Sequence, residues 1–344
     1  MPEEPFDGRG ASLKNVSIVI VTYKGDDLTR DCLNSLAATC GESPQVVVVD
    51  NSPSGSTRMM VAAYPNAVYV PSPGNPGFAG GNNRALKYCD RQYILLLNND
   101  TVVHSAESIL SLVRFLGENP RCGAVQGSGR LVPSGNIAGC GSWLTPLGFL
   151  HTPGFNAREH SLFEKPHPCF MGSGFFLMFR RKDIASVGGF LFRTDFWCYY
   201  EETDFCHRVW LAGMEVWYVP TIPIDHLCSC TAGRFRRDDI MRRYLRNLLF
   251  SLKANLSFLS RLRMMPCVYL MIAAHAFFHL VKGHLSTFKV DLAALVTSSR
   301  DRKRILAARR QVKRIRKVSD AQIFKLAMKT QTLAEFFRNV RGNM

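Results

Sequence analysis

Three apolar runs in the first hundred residues end in polar side chains of the kinds that bind ligands. The endings are Thr22-Tyr23 after VSIVIV, Asp50-Asn51 after VVVV and Asn98-Asn99-Asp100 after YILLL. A single Asp or Asn at the end of a strand often only forms a turn or caps the next helix. Because three successive endings repeat the pattern, we expect them to form a polar ligand site.

A second group of chemically useful residues lies at the start of a predicted helix. Its carboxylic acids are Glu201, Glu202 and Asp204, and its aromatic neighbours are Phe196, Trp197, Tyr199, Tyr200 and Phe205. Acidic residues in the first turn are favourable against the helix dipole, which alone would explain them. An aromatic environment also raises the pKa of a carboxyl group and offers a flat face to a sugar ring. We therefore interpret this segment as the source of a general base.

The segment GNPGFAGGNNRA (74–85) is a glycine-rich loop before a predicted helix. Glycine lets backbone N–H groups approach a phosphate, and a helix N-terminus favours negative charge. The loop matches neither G-x-x-x-x-G-K-[ST] nor a strand-linked G-x-G-x-x-G, so it is weak evidence by itself. Its candidate contact residues are Gly77, Phe78, Gly80, Asn82 and Arg84, the last being either a forked donor to a diphosphate or a plain surface arginine.

The elements that would position these residues alternate between strands and helices. The sequence predicts strands at 16–23, 45–50, 67–71 and 93–97, and helices at 27–39, 56–63 and about 105–117. Continuous apolar strands indicate an α/β domain with a largely parallel sheet that is covered on both faces. Ligands bind such sheets beyond the carboxyl ends of the strands, where the three polar endings fall. Residues from about 121 to 168 are predicted to be loop.

The net charge of +16 resides in the C-terminal third of the chain. Residues 231–344 contain 25 Lys and Arg against 6 Asp and Glu, a net +19, whereas residues 1–230 contain 18 against 21, a net −3. The run at 264–281 lacks charges but has two histidines and is marginal for a membrane span. The run at 300–317 places basic residues around an apolar helical face. We expect a helical module that binds an anionic membrane surface without spanning it; a packing domain with a solvated basic face is the alternative.

Two other classes of protein would share some of these features. A nucleic-acid-binding protein would explain the charge, but the basic tail lacks interleaved aromatic residues and contains no finger or RNP pattern. A dinucleotide-dependent oxidoreductase would use similar strand–helix units, but the first turn, VTYKGDD, lacks the required glycines. We therefore expect no nucleic-acid partner.

The cysteines and the N-terminus bear on location. The eleven cysteines are odd in number and never spaced as C-x-x-C, which indicates a reducing compartment. His226, Cys228 and Cys230 give a weak indication of zinc, with no second paired half nearby. Residues 1–14 lack the apolar core of a signal peptide, so we predict a flexible N-terminus and a cytoplasmic protein.

In order and spacing, six segments resemble the family 2 glycosyltransferases of the GT-A fold. They are VSIVIVTYKGDDLTRDCLNSL, VVVVDNSPSGST, GNPGFAGGNNRAL, YILLLNNDTVV, FMGSGFFLMFRRKDIASVGGFLF and YYEETDFCHRVWLAGMEVWYVP. Within that family they are most similar to the rhamnosyltransferase-like branch that builds bacterial cell-surface polysaccharides. The resemblance implies a GT-A domain over about residues 15–230, followed by the basic module at 231–344.

The resemblance implies that the strand-end residues hold a divalent cation and a nucleotide sugar. Asp100 would be the metal ligand, with Asn98 and Asn99 as its partners and His226 as a second ligand. Members of the family often carry another aspartate here, and Mg²⁺ or Mn²⁺, which keep waters and phosphate oxygens, would tolerate its loss. The residues implied to hold the nucleoside are Thr22, Tyr23 and Asp50, and Asn51 is a further candidate contact of the donor.

The resemblance also implies an inverting transfer by direct displacement. A carboxylate would take the proton of the acceptor hydroxyl while the cation stabilises the departing nucleoside diphosphate. Glu202 would be this base, with Glu201 as the other member of the acidic pair and Asp204 as the fallback. The donor implied is dTDP-rhamnose, with UDP-sugars next. The acceptor would be a saccharide or a polyprenyl-linked saccharide, reached from the cytoplasmic face of the cell membrane.

Overall fold

The fold was obtained as a computed structural model, which describes residues 11–228 and 237–330, without the side chains of residues 297–299. The β-strands are β1 (Val16–Thr22), β2 (Gln45–Asp50), β3 (Ala67–Pro71), β4 (Tyr93–Leu97), β5 (Thr101–Val102), β6 (Cys122–Gln126), β7 (Gly129–Leu131), β8 (Ile137–Gly139), β9 (Trp143–Leu144), β10 (Leu150–His151), β11 (His167–Pro168), β12 (Phe176–Arg180), β13 (Glu215–Tyr218) and β14 (Ile224–His226). The α-helices are α1 (Asp26–Cys40), α2 (Gly55–Ala62), α3 (Gly77–Ala85), α4 (Ala106–Glu118), α5 (Asp183–Ser186), α6 (Glu201–Leu211), α7 (Arg237–Asn255), α8 (Phe258–Val281), α9 (Leu285–Arg300), α10 (Arg302–Ile315) and α11 (Asp320–Ala327). Short 3-10 helices are Leu13–Asn15, Ser161–Glu164 and Thr194–Phe196.

The central sheet has the strand order β11-β13-β6-β12-β4-β1-β2-β3. β1 is parallel to β2 and β4, β2 to β3, and β6 to β13, whereas β12 is antiparallel to both of its neighbours. This confirms the prediction of a mostly parallel sheet with flanking helices. Thr22 lies opposite Asp50, so the predicted polar endings share one edge of the sheet.

Burial on both faces explains the continuous apolar strands. In β2, Val47 and Val49 belong to one hydrophobic core, and Val46 and Val48 belong to the core on the other face of the sheet. Because successive side chains of a strand point to opposite faces, a strand between two cores needs apolar residues at every position.

The prediction that residues 121–168 form a loop is wrong. β6 is fully buried between β12 and β13, and β7 and β8 form a second sheet with β5 and β14. Two residues of β6 interrupt the apolar pattern by which a strand is recognised in a sequence. Gly123 is required because a Cβ there would lie 2.6 Å from the Val209 side chain. Gln126 is buried because its amide accepts from the Ser173 N–H at 2.8 Å and donates to the Gly139 carbonyl at 3.2 Å.

The C-terminal helices pack on the α/β domain. α9 packs against α7 and α8, α10 packs against α7, and α11 packs against α6. One hydrophobic core contains Leu248, Ile272 and Ile323 together with Leu96 and Trp210. The predicted boundary at residue 230 lies outside the described residues, and the helices that follow it are built into the same core as the sheet.

The apolar run predicted at 264–281 is part of α8, a helix of 24 residues that begins at Phe258 and continues through Pro266. By length and composition alone α8 is long and apolar enough to cross a membrane, a test that core helices of soluble proteins also pass. Its two histidines form a polar contact with α9: His275 Nδ1 lies 2.7 Å from the buried Asp291 carboxylate, and His279 Nε2 lies 3.2 Å from His275 Nε2.

Residues 1–10 of the predicted flexible N-terminus lie outside the described residues. Ser12 caps the first 3-10 helix, and Leu13 is buried in the core. The ten cysteines that the structure describes are free thiols, and Cys230 lies outside the described residues.

Candidate functional site

The turn after β4 places Asp100 beside His226. β5 pairs antiparallel with β14, so Thr101 lies opposite His226, and the Leu227 N–H donates to the Asp100 carbonyl at 2.9 Å. Asp100 Oδ1 lies 3.4 Å from His226 Nε2, and both residues are more than nine-tenths buried. The two residues implied as metal ligands, 126 positions apart in the chain, therefore meet.

The His226 ring is held in place, but one of its two nitrogens has no hydrogen-bond partner among the described residues. It stacks on Phe175 with ring centroids 4.8 Å apart and 11° between the planes. Its Nδ1 is buried without a hydrogen-bond partner in the described structure, and its Nε2 lies 3.5 Å from Asn98 Nδ2.

These residues fit a hard cation better than zinc. Across residues 11–228 and 237–330, no group of three or more His, Cys, Asp or Glu side chains is arranged to hold a metal ion. A structural zinc ion needs four protein ligands, and the described part of the weak His226-Cys228-Cys230 motif does not supply them. One carboxylate and one imidazole suit Mg²⁺ or Mn²⁺, which complete their shells with water and phosphate oxygens.

Asn99 turns inward and supports the first strand–helix turn. Its Nδ2 donates to Thr22 Oγ1 at 3.4 Å and to Thr29 Oγ1 at 3.2 Å, and all three residues are buried. Gly25 makes this possible, because a Cβ there would lie 2.7 Å from the amide nitrogen. Thr22 and Asn99 are therefore corrected from direct donor contacts to positioning residues. Tyr23 is partly exposed at this edge, and its contact with the nucleoside stays a prediction.

Asp50 forms a turn at the end of its strand, which is the alternative to a ligand contact that the sequence analysis considered. Its carboxylate accepts hydrogen bonds from Ser52 N–H (2.9 Å), Ser52 Oγ (3.3 Å), Ser54 N–H (3.2 Å) and Tyr69 Oη (3.1 Å). Four bonds fill the lone pairs of a carboxylate. A nucleoside N–H can bond to Asp50 only by replacing one of these donors, and the long bond from the Ser52 hydroxyl is the easiest to replace.

The glycine-rich loop is a packing joint, which corrects its prediction as a phosphate cradle. Asn51 Nδ2 donates to the Gly77 carbonyl at 2.9 Å, and a Cβ on Gly77 would lie 2.1 Å from the Trp197 carbonyl oxygen. Two of the helix-terminal N–H groups already have acceptors: Gly77 N–H donates to Asn75 Oδ1 at 3.2 Å, and Ala79 N–H donates to the Trp197 carbonyl at 3.0 Å. The loop thus joins the end of β2 to the segment before the acidic helix α6.

The remaining predicted contacts of this loop point away from the site. Phe78 stacks on Phe192 in the core at 5.9 Å, and a Cβ on Gly80 would lie 2.5 Å from Pro76. Asn82 is buried and donates to the Phe78 carbonyl at 2.9 Å. Arg84 is exposed in the last turn of α3, about 10 Å along the helix from Gly77. Because α3 leads back toward the start of β4, Arg84 lies further from the polar strand ends than Gly77 does, and its diphosphate contact stays a prediction.

The acidic pair at the start of α6 is held in two different environments. Glu201 is buried, its Oε2 has no partner among the described residues, and burial together with the neighbouring Glu202 carboxylate raises its pKa well above the ordinary value. Glu202 is partly exposed. Burial of its carboxyl raises its pKa, while its own backbone N–H and that of Gly174 donate to it and oppose the rise. Glu202 is thus the accessible acid of the pair.

The segment Gly174-Phe175 connects the acidic pair to the Asp100–His226 pair. A Cβ on Gly174 would lie 2.8 Å from Glu202 Oε1, so glycine is required for the carboxylate to rest on the backbone. Phe175 stacks on His226, and its carbonyl accepts from the Asn98 N–H at 3.1 Å. Since consecutive Cα atoms are about 3.8 Å apart, one short segment contacts both halves of the site. The glycine in FMGSGFF was the available signal, and sequence reasoning assigned it no role.

The loop before α6 is strained and is held by the C-terminal helices. Trp197, Tyr199 and Tyr200 have φ of 59°, 72° and 73°, a region that L-residues rarely occupy. The fully buried Asn247 of α7 has its Nδ2 within 2.7 Å of the Tyr199 carbonyl oxygen, 3.0 Å of that of Phe196 and 3.2 Å of that of Cys198. Asn247 lies in RRYLRN, which the sequence analysis did not connect with the site.

Asp204 is a structural residue, and its prediction as the fallback base is corrected. It is completely buried, and its carboxylate accepts from Arg193 Nε at 3.0 Å and Arg208 Nε at 2.9 Å. Ser251 and Asn255 of α7 donate to it as well. Although burial acts to raise the pKa of Asp204, the two guanidinium groups hold it well below its usual range. A carboxylate so bonded and so acidic accepts no proton from an acceptor hydroxyl.

Comparison with known proteins identifies the family of the chain. The model of the family described as glycosyl transferase family 2 matches residues 17–188, half of the chain. The low-salt glycan biosynthesis hexosyltransferase Agl10 of Haloferax volcanii is 26% identical over 257 residues, covering 70% of this chain and 78% of that protein. The N-acetylglucosaminyl-diphospho-decaprenol L-rhamnosyltransferase of Mycobacterium tuberculosis is 27% identical over 241 residues, covering 63% and 77%.

Among solved structures, the fold is similar to that of the mannosyltransferase PcManGT from Pyrobaculum calidifontis in complex with GDP-Man and Mn²⁺. The TM-score is 0.51 at 16% identity, with 86% of this chain and 79% of that chain covered. Residues 1–349 of TarS from S. aureus give a TM-score of 0.50 at 16% identity, with 71% and 67% covered. At such identities the likeness establishes the fold, with its central sheet and flanking helices.

Proposed function

This chain belongs to glycosyl transferase family 2, and we propose that it transfers a hexose, rhamnose from dTDP-rhamnose in the first place, to a lipid-linked saccharide acceptor in cell-surface glycan synthesis. The observation that carries the proposal is the meeting of two pairs at one edge of the sheet. Asp100 and His226 lie on one side of the Gly174-Phe175 segment, and Glu202 lies on that segment. Because the chain belongs to this family, we favour glycosyl transfer over the two alternatives considered from the sequence, which were nucleic-acid binding and dinucleotide-dependent redox chemistry.

In this proposal Asp100 and His226 hold Mg²⁺ or Mn²⁺, with Asn98 beside them. The bound cation supplies positive charge against the diphosphate of the donor, which makes the nucleoside diphosphate a better leaving group. Asn99, Thr22 and Gly25 fix the turn on which Asp100 depends, and Tyr23 with the Asp50 turn receives the nucleoside.

Glu202 is the proposed general base, and it takes the proton of the attacking acceptor hydroxyl. Its partial exposure gives an acceptor access, and its raised pKa keeps it a competent proton acceptor near neutral pH. Glu201 is buried behind it without a described partner for Oε2, and its strongly raised pKa favours its neutral form, so Glu202 is the member of the pair that ionises. The family match ends at residue 188, so this role rests on the geometry of α6 and Gly174.

The donor and acceptor are proposed from the relatives. A rhamnosyltransferase that acts on a diphospho-decaprenol-linked sugar and a glycan hexosyltransferase are both similar to this chain over more than 60% of its length. They favour dTDP-rhamnose and a polyprenyl-linked acceptor, with UDP-sugars as the second donor class. A lipid-linked acceptor is consistent with attachment to the inner face of the cell membrane through the basic C-terminal helices.

A screen of nucleotide sugars tests the proposal. The full chain is incubated with dTDP-rhamnose, UDP-N-acetylglucosamine, UDP-glucose and GDP-mannose in Mg²⁺ or Mn²⁺, and the melting temperature is measured, because a bound ligand raises it by mass action. Donors that bind are then offered with an N-acetylglucosaminyl-diphospho-prenol, and mass spectrometry detects the added sugar. We expect a metal-dependent shift and a deoxyhexose addition with dTDP-rhamnose. Addition from a UDP-sugar only would assign the second donor class, and absence of any shift would refute the proposal.

A further inference from the structure

A groove of about 510 Å³ lies between α7, α8 and α10. No residue that lines it belongs to the candidate site. Its walls are apolar, with Phe258, Leu262 and Leu306 more than 40% exposed along the rim. Four basic residues line the same groove, and no acidic residue does: Lys253, Arg261, Arg302 and Arg309.

In the part of the chain that the structure describes, the arginines of the groove form no ion pairs. Within the described residues, no carboxylate pairs with Arg261, Arg302 or Arg309, and the nearby Asp301 is bonded instead to Arg246 at 2.9 Å and to Arg304 at 3.6 Å. The Nε of Arg261 is buried without a hydrogen-bond partner. Buried donors without acceptors are costly, so an anion that bonded to this guanidinium would be favoured.

The combination of apolar walls and arginines without carboxylate partners selects the class of ligand. A hydrocarbon chain alone would leave the guanidinium groups unsatisfied, and a soluble nucleotide would leave the apolar walls in contact with water. An amphiphile that carries phosphate on an apolar chain satisfies both, because guanidinium groups form forked, charge-assisted bonds to phosphate.

We propose that this groove binds the prenyl diphosphate portion of the lipid-linked acceptor, with the phosphates on Arg261 and Arg302 and the first isoprene units on Phe258, Leu262 and Leu306. This inference rests on the proposed function for the identity of the acceptor. It gives the basic C-terminal helices a specific substrate-binding task in addition to general attraction to a charged surface.

The position of the groove suits an acceptor whose sugar must reach Glu202. Lys253 lies six residues along α7 from Asn247, about 9 Å, and Asn247 holds the loop that leads into the acidic pair. On the other wall, Ile305 packs in a small core with Phe250 and Phe196 of that loop region. The groove is therefore separated by a single layer of side chains from the loop that precedes the proposed base.

Binding of farnesyl diphosphate to the full chain tests the inference. The titration is done in EDTA, so that the metal-dependent donor site does not take up diphosphate, and farnesol and inorganic diphosphate are titrated in parallel. The groove variant is Arg261→Gln with Arg302→Gln. The matched control is Arg263→Gln with Lys303→Gln, which removes the same charge from exposed neighbours on the same two helices.

We expect farnesyl diphosphate to bind at least about tenfold more tightly than either of its parts, and the groove variant to weaken it about tenfold or more. The control variant should change the affinity less than about threefold, as expected of screened surface charge. Equal losses in the two variants would mean diffuse electrostatic attraction and would overturn the site.

Two further outcomes would assign the groove to another occupant and so overturn the inference. One is that the groove variant loses binding to phosphatidylglycerol-containing vesicles, but not to phosphatidylcholine vesicles, while its affinity for farnesyl diphosphate is unchanged. The other is a wild-type dimer in sedimentation that Leu306→Ser converts to a monomer. If dTDP and UDP fail to bind with Mn²⁺ while the farnesyl diphosphate result holds, the proposed donor is wrong and the groove assignment stands.

Discussion

Removing the Asn247 side chain should damage catalysis more than it damages the fold. In Asn247→Ala, the carbonyls of Phe196, Cys198 and Tyr199 lose the only side-chain donor that the described structure gives them. The Phe196 carbonyl still accepts from the Cys198 N–H, so two carbonyls are left unpaired. Each buried polar group left unpaired costs roughly 1–3 kcal/mol, so the loss is about 2–6 kcal/mol. That loss falls on a loop with three residues at positive φ, each of which already costs on the order of 1–3 kcal/mol.

A loop so weakly held should relax and move the acidic pair that follows it. Because a misplacement of about 1 Å can cost on the order of 10²-fold, we expect kcat to fall by about 10- to 100-fold. The dissociation constant of the donor should change less than about threefold, since Asp100 and His226 do not contact the loop.

Steady-state kinetics with the identified donor, together with melting temperatures, measure this effect. Ser251→Ala is the matched control: Ser251 lies one turn further along α7, is equally buried, and donates to Asp204 rather than to the loop. The control should lose stability while retaining most of kcat. A positioning role for Asn247 is refuted if Asn247→Ala keeps its kcat, or if both variants lose kcat in proportion to their loss of stability.

The remaining predictions concern the acids and the membrane. Glu202→Gln should lower kcat by a factor of roughly 10²–10⁴ without changing the melting temperature. Asp204→Asn should destabilise the fold by roughly 3–5 kcal/mol, because Arg193 and Arg208 lose their partner. The opposite pattern would exchange the roles of the two acids. Burial raises the pKa of Glu202 above 4.5, and the deprotonated form is the base, so kcat/KM should fall as the pH decreases through that raised pKa. A pH profile of kcat/KM that falls only at or below pH 4.5 would contradict this. High salt or alkaline carbonate should release the protein from membranes, since each basic residue contributes about 1 kcal/mol near an anionic surface; release by detergent alone would mean that α8 inserts.

The sequence was sufficient for the fold wherever a strand is uniformly apolar. β1, β2, β3 and β4 lie within a residue of their predicted positions, because burial on both faces leaves a signal at every position. β6 was missed because packing against Val209 and a buried amide network require Gly123 and Gln126, and neither residue favours a strand in isolation.

The sequence placed the strand-end residues at one edge of the sheet, but it did not predict contacts between residues distant in sequence. The proximity of Asp100 and His226 agrees with the family resemblance. The glycine-rich loop was misinterpreted because glycine permits close approach equally to a phosphate and to the Trp197 backbone, and only the folded chain decides between them. Gly174 and Asn247 escaped notice because their partners, Glu202 and the strained loop, lie 28 and about 50 residues away.

The most direct test of the account is whether Asp100 couples nucleoside diphosphate binding to a divalent cation. The dissociation constants of dTDP and UDP are measured by calorimetry in Mn²⁺ and in EDTA for the wild type, for Asp100→Asn and for Asp225→Asn. Asp225 is the matched control, because it neighbours His226 on β14 but pairs with His104 at 2.9 Å. The account predicts that Mn²⁺ tightens binding at least about tenfold in the wild type and in Asp225→Asn, and that Asp100→Asn abolishes this gain. Equal affinity in EDTA and Mn²⁺ for the wild type, or a gain retained in Asp100→Asn, would contradict it.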